Sequence, residues 1–144
     1  MPGWGAGTTI ETMSAHKTKK RILVVEDDSA IQELYCNLLR EAGYEVEGAE
    51  HALAAVCAVV RATPDLILAD IRMPIIDGRD LVRELKSHSD SQHIPVVAIT
   101  GHDSPEMRES ALQAGYADYI TKPIDPRRFP EQIAELLRRH QPAR

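Results

Sequence analysis

The stretch "RILVVEDDSAIQELYCNLLREAG", residues 21–43, passes from an apolar run through three adjacent acids into a helical pattern. Its start, Ile-Leu-Val-Val at 22–25, reads as a short strand buried on both faces, the kind found in parallel sheets. Ile31, Leu34, Tyr35, Leu38 and Leu39 then recur at the spacing of one amphipathic helical face. Gly43 is well placed to end that helix. A strand followed at once by a helix is the repeating unit of a parallel α/β sheet, and the rest of the chain tests whether the unit repeats.

It repeats four more times. Residues 44–48, Tyr-Glu-Val-Glu-Gly, alternate apolar and polar as a half-exposed edge strand would. An Ala-rich helix over about 51–62 stops before Pro64. Residues 65–70, Asp-Leu-Ile-Leu-Ala-Asp, form the third strand and 79–87 the next helix. Residues 94–100 are a strand with Pro95 near its start, where proline is tolerated. A helix over 104–115 has Ser104 or Asp103 as N-cap and Pro105 in its first turn. Residues 118–121 make a short strand, and the helix at 127–140 puts Phe129, Ile133, Leu136 and Leu137 on one face. The fold class is α/β: a (βα)5 chain with a doubly wound, five-stranded parallel sheet in the order 2-1-3-4-5. That order makes the second strand an edge, as its alternation requires.

The chain has 144 residues, enough for one domain, and 43% of them are hydrophobic. We assign 21–140 to that domain, 1–20 to an N-terminal tail and 141–144 to a C-terminal tail. A net charge of −5 argues against a nucleic-acid binder, which needs a basic surface. Cys36 and Cys57 have no metal-ligand spacing and read as two reduced core thiols. Neither a membrane-spanning run nor a signal sequence is evident, so a cytoplasmic protein without membrane insertion is expected.

Ligands of open α/β sheets bind outside the carboxyl ends of the strands. There the first strand presents Glu26, Asp27 and Asp28, the third Asp70, the fourth Thr100 followed by Gly101 and His102, and the fifth Thr121, Lys122 and Pro123. Singly, each has a plain reading: an Asp caps a helix, a Thr favours a strand, a Lys is solvated. Four strands delivering them to one edge is a different matter. Carboxylates converging from two strands repel one another, and a hard cation relieves this. Mg²⁺ needs only one or two carboxylates besides water and phosphate oxygens. A nucleotide or flavin at the first loop would instead need backbone N–H groups in Gly, Ser or Thr surroundings, and three acids repel it. A cation, an amine and a hydroxyl around a central carboxylate point to phosphoryl transfer onto that carboxylate. Lys122–Pro123 is expected trans, the commoner isomer, although a cis bond would aim the amine inward.

These motifs resemble a response-regulator receiver domain: "ILVVEDD" (22–28), "DLILADIRMPIIDG" (65–78), "VVAITG" (96–101) and "YITKP" (119–123). The second is the most specific, with Asp70, Met73-Pro74 and Asp77-Gly78 at the family's spacing. The resemblance, closest to single-domain chemotaxis-type receivers of flavodoxin-like fold, implies a signalling switch of a two-component system rather than an enzyme. By the same resemblance Asp70 is the phosphoacceptor; Asp27, Glu26, Asp70 itself and the backbone carbonyl of Arg72 hold Mg²⁺; and Thr100 and Lys122 contact the phosphoryl group. Tyr119 matches the family's aromatic switch residue, moving with Thr100, and Asp28 is left as a helix cap. Arg72 and His102 sit at variable positions and are expected to tune phosphoryl lifetime. Ile76 stands where Met is commoner. The implied partners are a sensor histidine kinase or histidine phosphotransfer protein and an unknown downstream protein, with no direct nucleic-acid contact. A homodimer through the face of the fourth helix, fifth strand and fifth helix is possible. With four residues after His140, output is expected to pass through another protein. The alternatives are a phosphorelay intermediate, an unphosphorylated pseudo-receiver scaffold, and a flavin-binding electron carrier on the same sheet.

Overall fold

The computed structural model describes residues 19–71, 76–101 and 103–140, and of residues 76–80 the backbone alone. Both expected tails (save Lys19 and Lys20), Arg72, Met73-Pro74 and His102 lie outside the described residues, as do the side chains of Ile76 and Asp77.

Strands and helices alternate along the chain: β1 (Arg21–Val25), α1 (Ser29–Glu41), β2 (Glu45–Ala49), α2 (Ala52–Arg61), β3 (Leu66–Ile71), α3 (Ile76–Lys86), β4 (Val96–Thr100), α4 (Pro105–Ala114), β5 (Asp118–Thr121) and α5 (Phe129–His140). All four strand pairings are parallel. The sheet order is β2-β1-β3-β4-β5, the expected one, with β2 and β5 at its edges.

Strand alternation sorts the core into two layers. Ile22, Val24, Leu66, Leu68, Val97, Ile99 and Ile120 point to one face and meet α1 and α5 through Tyr35, Leu39, Phe129 and Ile133. Leu23, Ile67, Ala69, Val96 and Ala98 point to the other and meet α2, α3 and α4 through Ala55, Val59, Leu81, Val82, Leu85 and Ala111. Both faces of the sheet are therefore covered, which is why β1, β3 and β4 read as unbroken apolar runs.

The caps follow local chemistry. Asp28 caps α1, its Oδ1 accepting from Ala30 and Ile31 N–H at 2.9 and 3.0 Å. Ser104, not Asp103, caps α4, accepting from Met107 N–H at 3.1 Å. Just past α1, Gly43 adopts φ 102°, the left-handed conformation that ends a helix at low cost for glycine.

Three boundaries depart from expectation. The third helix begins at Ile76, not 79, and takes in Asp77 and Gly78; neither of these two residues adds an apolar position to the helical period, so periodicity gave no earlier start. The fourth strand begins at Val96 because Ile94 N–H closes a turn onto Ser91 O at 3.1 Å. The last helix begins at Phe129 because Asp125 gathers the N–H groups of Arg127, Arg128 and Phe129 in a turn ahead of it. The two cysteines also differ from each other: Cys36 is in the core as expected, but Cys57 is exposed, because α2 turns it away from the sheet.

Phe129 is fully buried with its ring 5.6 Å from that of Tyr35, joining α5 to α1. Phe129→Ala is expected to destabilise the fold by about 3–5 kcal/mol, read as a lowered urea midpoint at unchanged slope.

Candidate functional site

The polar residues expected at the carboxyl edge lie there, and the sheet register sets how they meet. By alternation from Val24, Leu68 and Ile120, the positions of Glu26, Asp70 and Lys122 fall on the α1/α5 side of the sheet. By alternation from Ala98, Thr100 falls on the opposite side, and Tyr119 packs partly against the core there.

On the first side, the Asp70 side chain is 2% exposed and its Oδ2 lies 2.8 Å from Lys122 Nζ. Lys122 is held by its backbone, whose N–H donates to Thr100 O at 2.7 Å. The Lys122–Pro123 peptide is cis, contrary to the trans bond expected.

Glu26 is buried. Its backbone N–H donates to Ala49 O at 2.9 Å, and its Oε2 accepts from Asp28 N–H at 2.8 Å. Burial first, then hydrogen bonding to Asp70, pushes the Glu26 carboxyl up to about 8; hydrogen bonding to Asp27 and the charge of Asp70 add to the rise, and the Asp28 N–H opposes it. Asp27, one residue on, is exposed. Asp28 is committed to capping α1.

Sequence reasoning passed over Gln32. Its Nε2 donates to Glu26 O at 2.9 Å and to Ala49 O at 3.1 Å, tying the first acidic loop to the end of β2. A Cβ at Gly48 would lie 2.0 Å from Gln32 Oε1, so glycine there leaves room for the amide. The pairing of a helical Gln with an edge-strand Gly was the signal available.

On the second side, Thr100 is buried. Ala98 pairs with Tyr119 and Thr100 with Thr121, so Thr100 and Tyr119 are diagonal neighbours on one face. The Arg108 guanidinium lies 5.6 Å from the centre of the Tyr119 ring. Arg108 also pairs with Asp103 at 2.8 Å, linking α4, the loop after β4, and Tyr119.

Chemically, the edge is a buried carboxylate facing an amine and flanked by two more acids. No N–H or O–H donor from the described residues reaches Asp70 Oδ1. The Glu26 carboxyl can offer one only while it keeps its proton. A hard cation would satisfy both carboxylates without that proton, so the donor set fits one. Among the described residues no three His, Cys, Asp or Glu side chains form a ready-made metal site.

The response regulator receiver domain model matches residues 22–134. The chain belongs to that family. It is 38% identical over 123 residues to the phosphate regulon transcriptional regulatory protein PhoB of Escherichia coli K12, covering 85% of this chain and 54% of that protein. It is also 38% identical over 122 residues to the response regulator MprA of Mycobacterium leprae, covering 85% and 53%. The chain thus spans about half the length of these relatives. Among solved structures it resembles a CheY-like receiver domain protein from Methanospirillum hungatei JF-1, with TM-score 0.74 and 33% identity over 86% of this chain and 98% of that one. Chemotaxis protein CheY4 of Vibrio cholerae gives TM-score 0.73 and 28% identity, covering 85% and 98%. The receiver is a signalling module of two-component systems, and among the described residues no helix is long and apolar enough to cross a membrane.

The raised Glu26 carboxyl has a consequence for stability. Folded, it keeps its proton up to about pH 8; unfolded, it loses it near pH 4.5. Its contribution to stability is therefore complete below pH 4.5 and is lost as pH rises toward 8. The urea midpoint of the metal-free protein is expected to fall across that interval, and Glu26→Gln, which cannot ionise, should remove most of the fall. An equal slope in both proteins would place the cause elsewhere.

Proposed function

We propose that the chain is a phosphorylation-controlled switch whose Asp70 accepts a phosphoryl group from a phosphohistidine of a sensor kinase or phosphotransfer protein. One observation carries this reading. Asp70 is a buried carboxylate at the carboxyl edge of β3, held against Lys122 and beside the Glu26 carboxyl. In the transfer, an Asp70 oxygen attacks phosphorus, the phosphorus–nitrogen bond to the donor imidazole breaks, and the imidazole leaves with that electron pair and takes up a proton.

Lys122 would neutralise phosphoryl oxygens, being already aimed at Oδ2. Thr100 would donate its hydroxyl to one of them. Asp27 and Glu26, with the Arg72 carbonyl, would hold Mg²⁺. When bound, that ion supplies positive charge between the acids and the incoming phosphoryl group. Asp28 and Gln32 keep the acidic loop in place by satisfying its backbone.

The output follows from the second side of the sheet. Drawing Thr100 toward a phosphoryl group would vacate space beside Tyr119, its diagonal neighbour. Tyr119 moving inward would release Arg108 and its pairing with Asp103. That would change the α4–β5–α5 surface, the face offered to a downstream protein or to a second receiver.

Intact mass measured after incubation with Mg²⁺ and a small acyl phosphate tests the proposal. The wild type should gain one phosphoryl group, and Asp70→Asn or omission of the metal should abolish the gain. Equal labelling of Asp70→Asn would overturn the assignment.

A further inference from the structure

Helix α2 is apolar nearly all round. Ala55, Ala58 and Val59 face the sheet and are buried. The opposite side carries Leu53, Cys57 and Val60, with Val56 half-buried beside them. These positions fall at the i, i+3, i+4, i+7 spacing of a single stripe. Leu53 is 69% and Val60 81% exposed, the two most exposed large apolar side chains among the described residues. A helix apolar on both faces is normally covered on both. Beside it the stripe runs into a groove between α2 and α3, whose near wall is Val56, Val59 and Val60 and whose far wall is mostly polar, with Glu84, His88 and His93 around Leu85.

The stripe is nearly self-complementary when reversed. Cys57 stands at its centre, with Leu53 four residues before and Val60 three after. Its two ends carry opposite charge. Glu50 is exposed just before the helix, and Arg61 is exposed at its last position. Arg61 follows Cys57 by one helical turn; it reaches toward the sheet edge, where it pairs with Glu47 of β2, and remains exposed. Turned through a two-fold axis at the level of Val56, next to Cys57, a second copy would bring Leu53 to within one residue of Val60 and Glu50 to within one residue of Arg61, twice over. The two helix dipoles would then run antiparallel, a favourable arrangement.

We propose that α2 is a self-association surface on which two copies of the chain pack α2 antiparallel about a two-fold axis near Cys57. The surface lies on β2's side of the sheet, away from α4 and α5, so it needs no phosphoryl group. A ten-residue helix is only about 15 Å long, so even with the groove the contact falls short of the ~800 Å² per partner of a standard interface. The association is therefore weak and concentration-dependent.

Sedimentation equilibrium of the unphosphorylated full chain, up to near-millimolar concentration, tests this. The wild type should show a monomer–dimer equilibrium. Leu53→Glu or Val60→Glu should each weaken association at least about tenfold. A short bismaleimide should join two wild-type chains through Cys57, since Cys36 is buried; Cys57→Ser should abolish the product and Val60→Glu suppress it. Charge reversal separates loss of fold from loss of contact: Glu50→Arg weakens association, and adding Arg61→Glu restores it. A strictly monomeric wild type would overturn the proposal, as would a dimer indifferent to Leu53→Glu and Val60→Glu or a charge pair that does not compensate.

Discussion

The pairing of Asp70 with Lys122 is the constraint on which the functional edge depends. An ionised carboxylate 2% exposed must be compensated or lose its charge. Its partner is not on the neighbouring strand. β4 lies between β3 and β5, so the pair spans two inter-strand spacings, roughly 10 Å. Only a long side chain covers that distance, and only if β3, β4 and β5 hold their register. The Lys122 N–H to Thr100 O bond fixes that register at its last rung. Folding of the sheet and assembly of the site are in this sense one event.

Strand alternation then divides the site's labour. Glu26, Asp70 and Lys122, on one side, manage negative charge. Thr100 and Tyr119, on the other, sit where the sheet meets α4. Thr100 bridges the two sides through its backbone carbonyl, which accepts from Lys122. Asp103, Arg108 and Tyr119 form a linked group whose members come from three elements, which is what a two-state surface requires.

Much of this was legible in the sequence, for physical reasons that differ by element. The strand order was the doubly wound one expected of strictly alternating strands and helices, and the alternation of Glu45, Val46 and Glu47 in β2 matched the edge it assigns. The edge residues were legible because parallel sheets deliver all their strand ends to one rim. What was not legible depended on distance or on local competition. Gln32 reads as an ordinary exposed helical residue until β2 brings Ala49 O and Gly48 beside it. The start of α3 was hidden because Asp77 and Gly78 offer no periodic signal. The isomer at Lys122–Pro123 could not be read from its two residues. The Arg108–Tyr119 contact joins residues eleven apart with α4 and a turn between them, so no short window contains it.

Cys57 was misplaced for a more instructive reason. An Ala- and Val-rich helix lacks the polar face that would say which side is in, so an apolar count assigns every position to the core. Geometry permits no such thing. A helix laid on a sheet can bury only one side against it, and Ala55, Ala58 and Val59 occupy that side. The apolar character of Leu53, Val56, Cys57 and Val60 is then surplus to the needs of the fold. The contrast with α5 is direct: its apolar residues Phe129, Ile133, Leu136 and Leu137 are all buried, and its exposed positions are charged. Core packing explains the composition of α5 completely. For α2 it explains one side of the helix, and the other side is what the proposed self-association would cover.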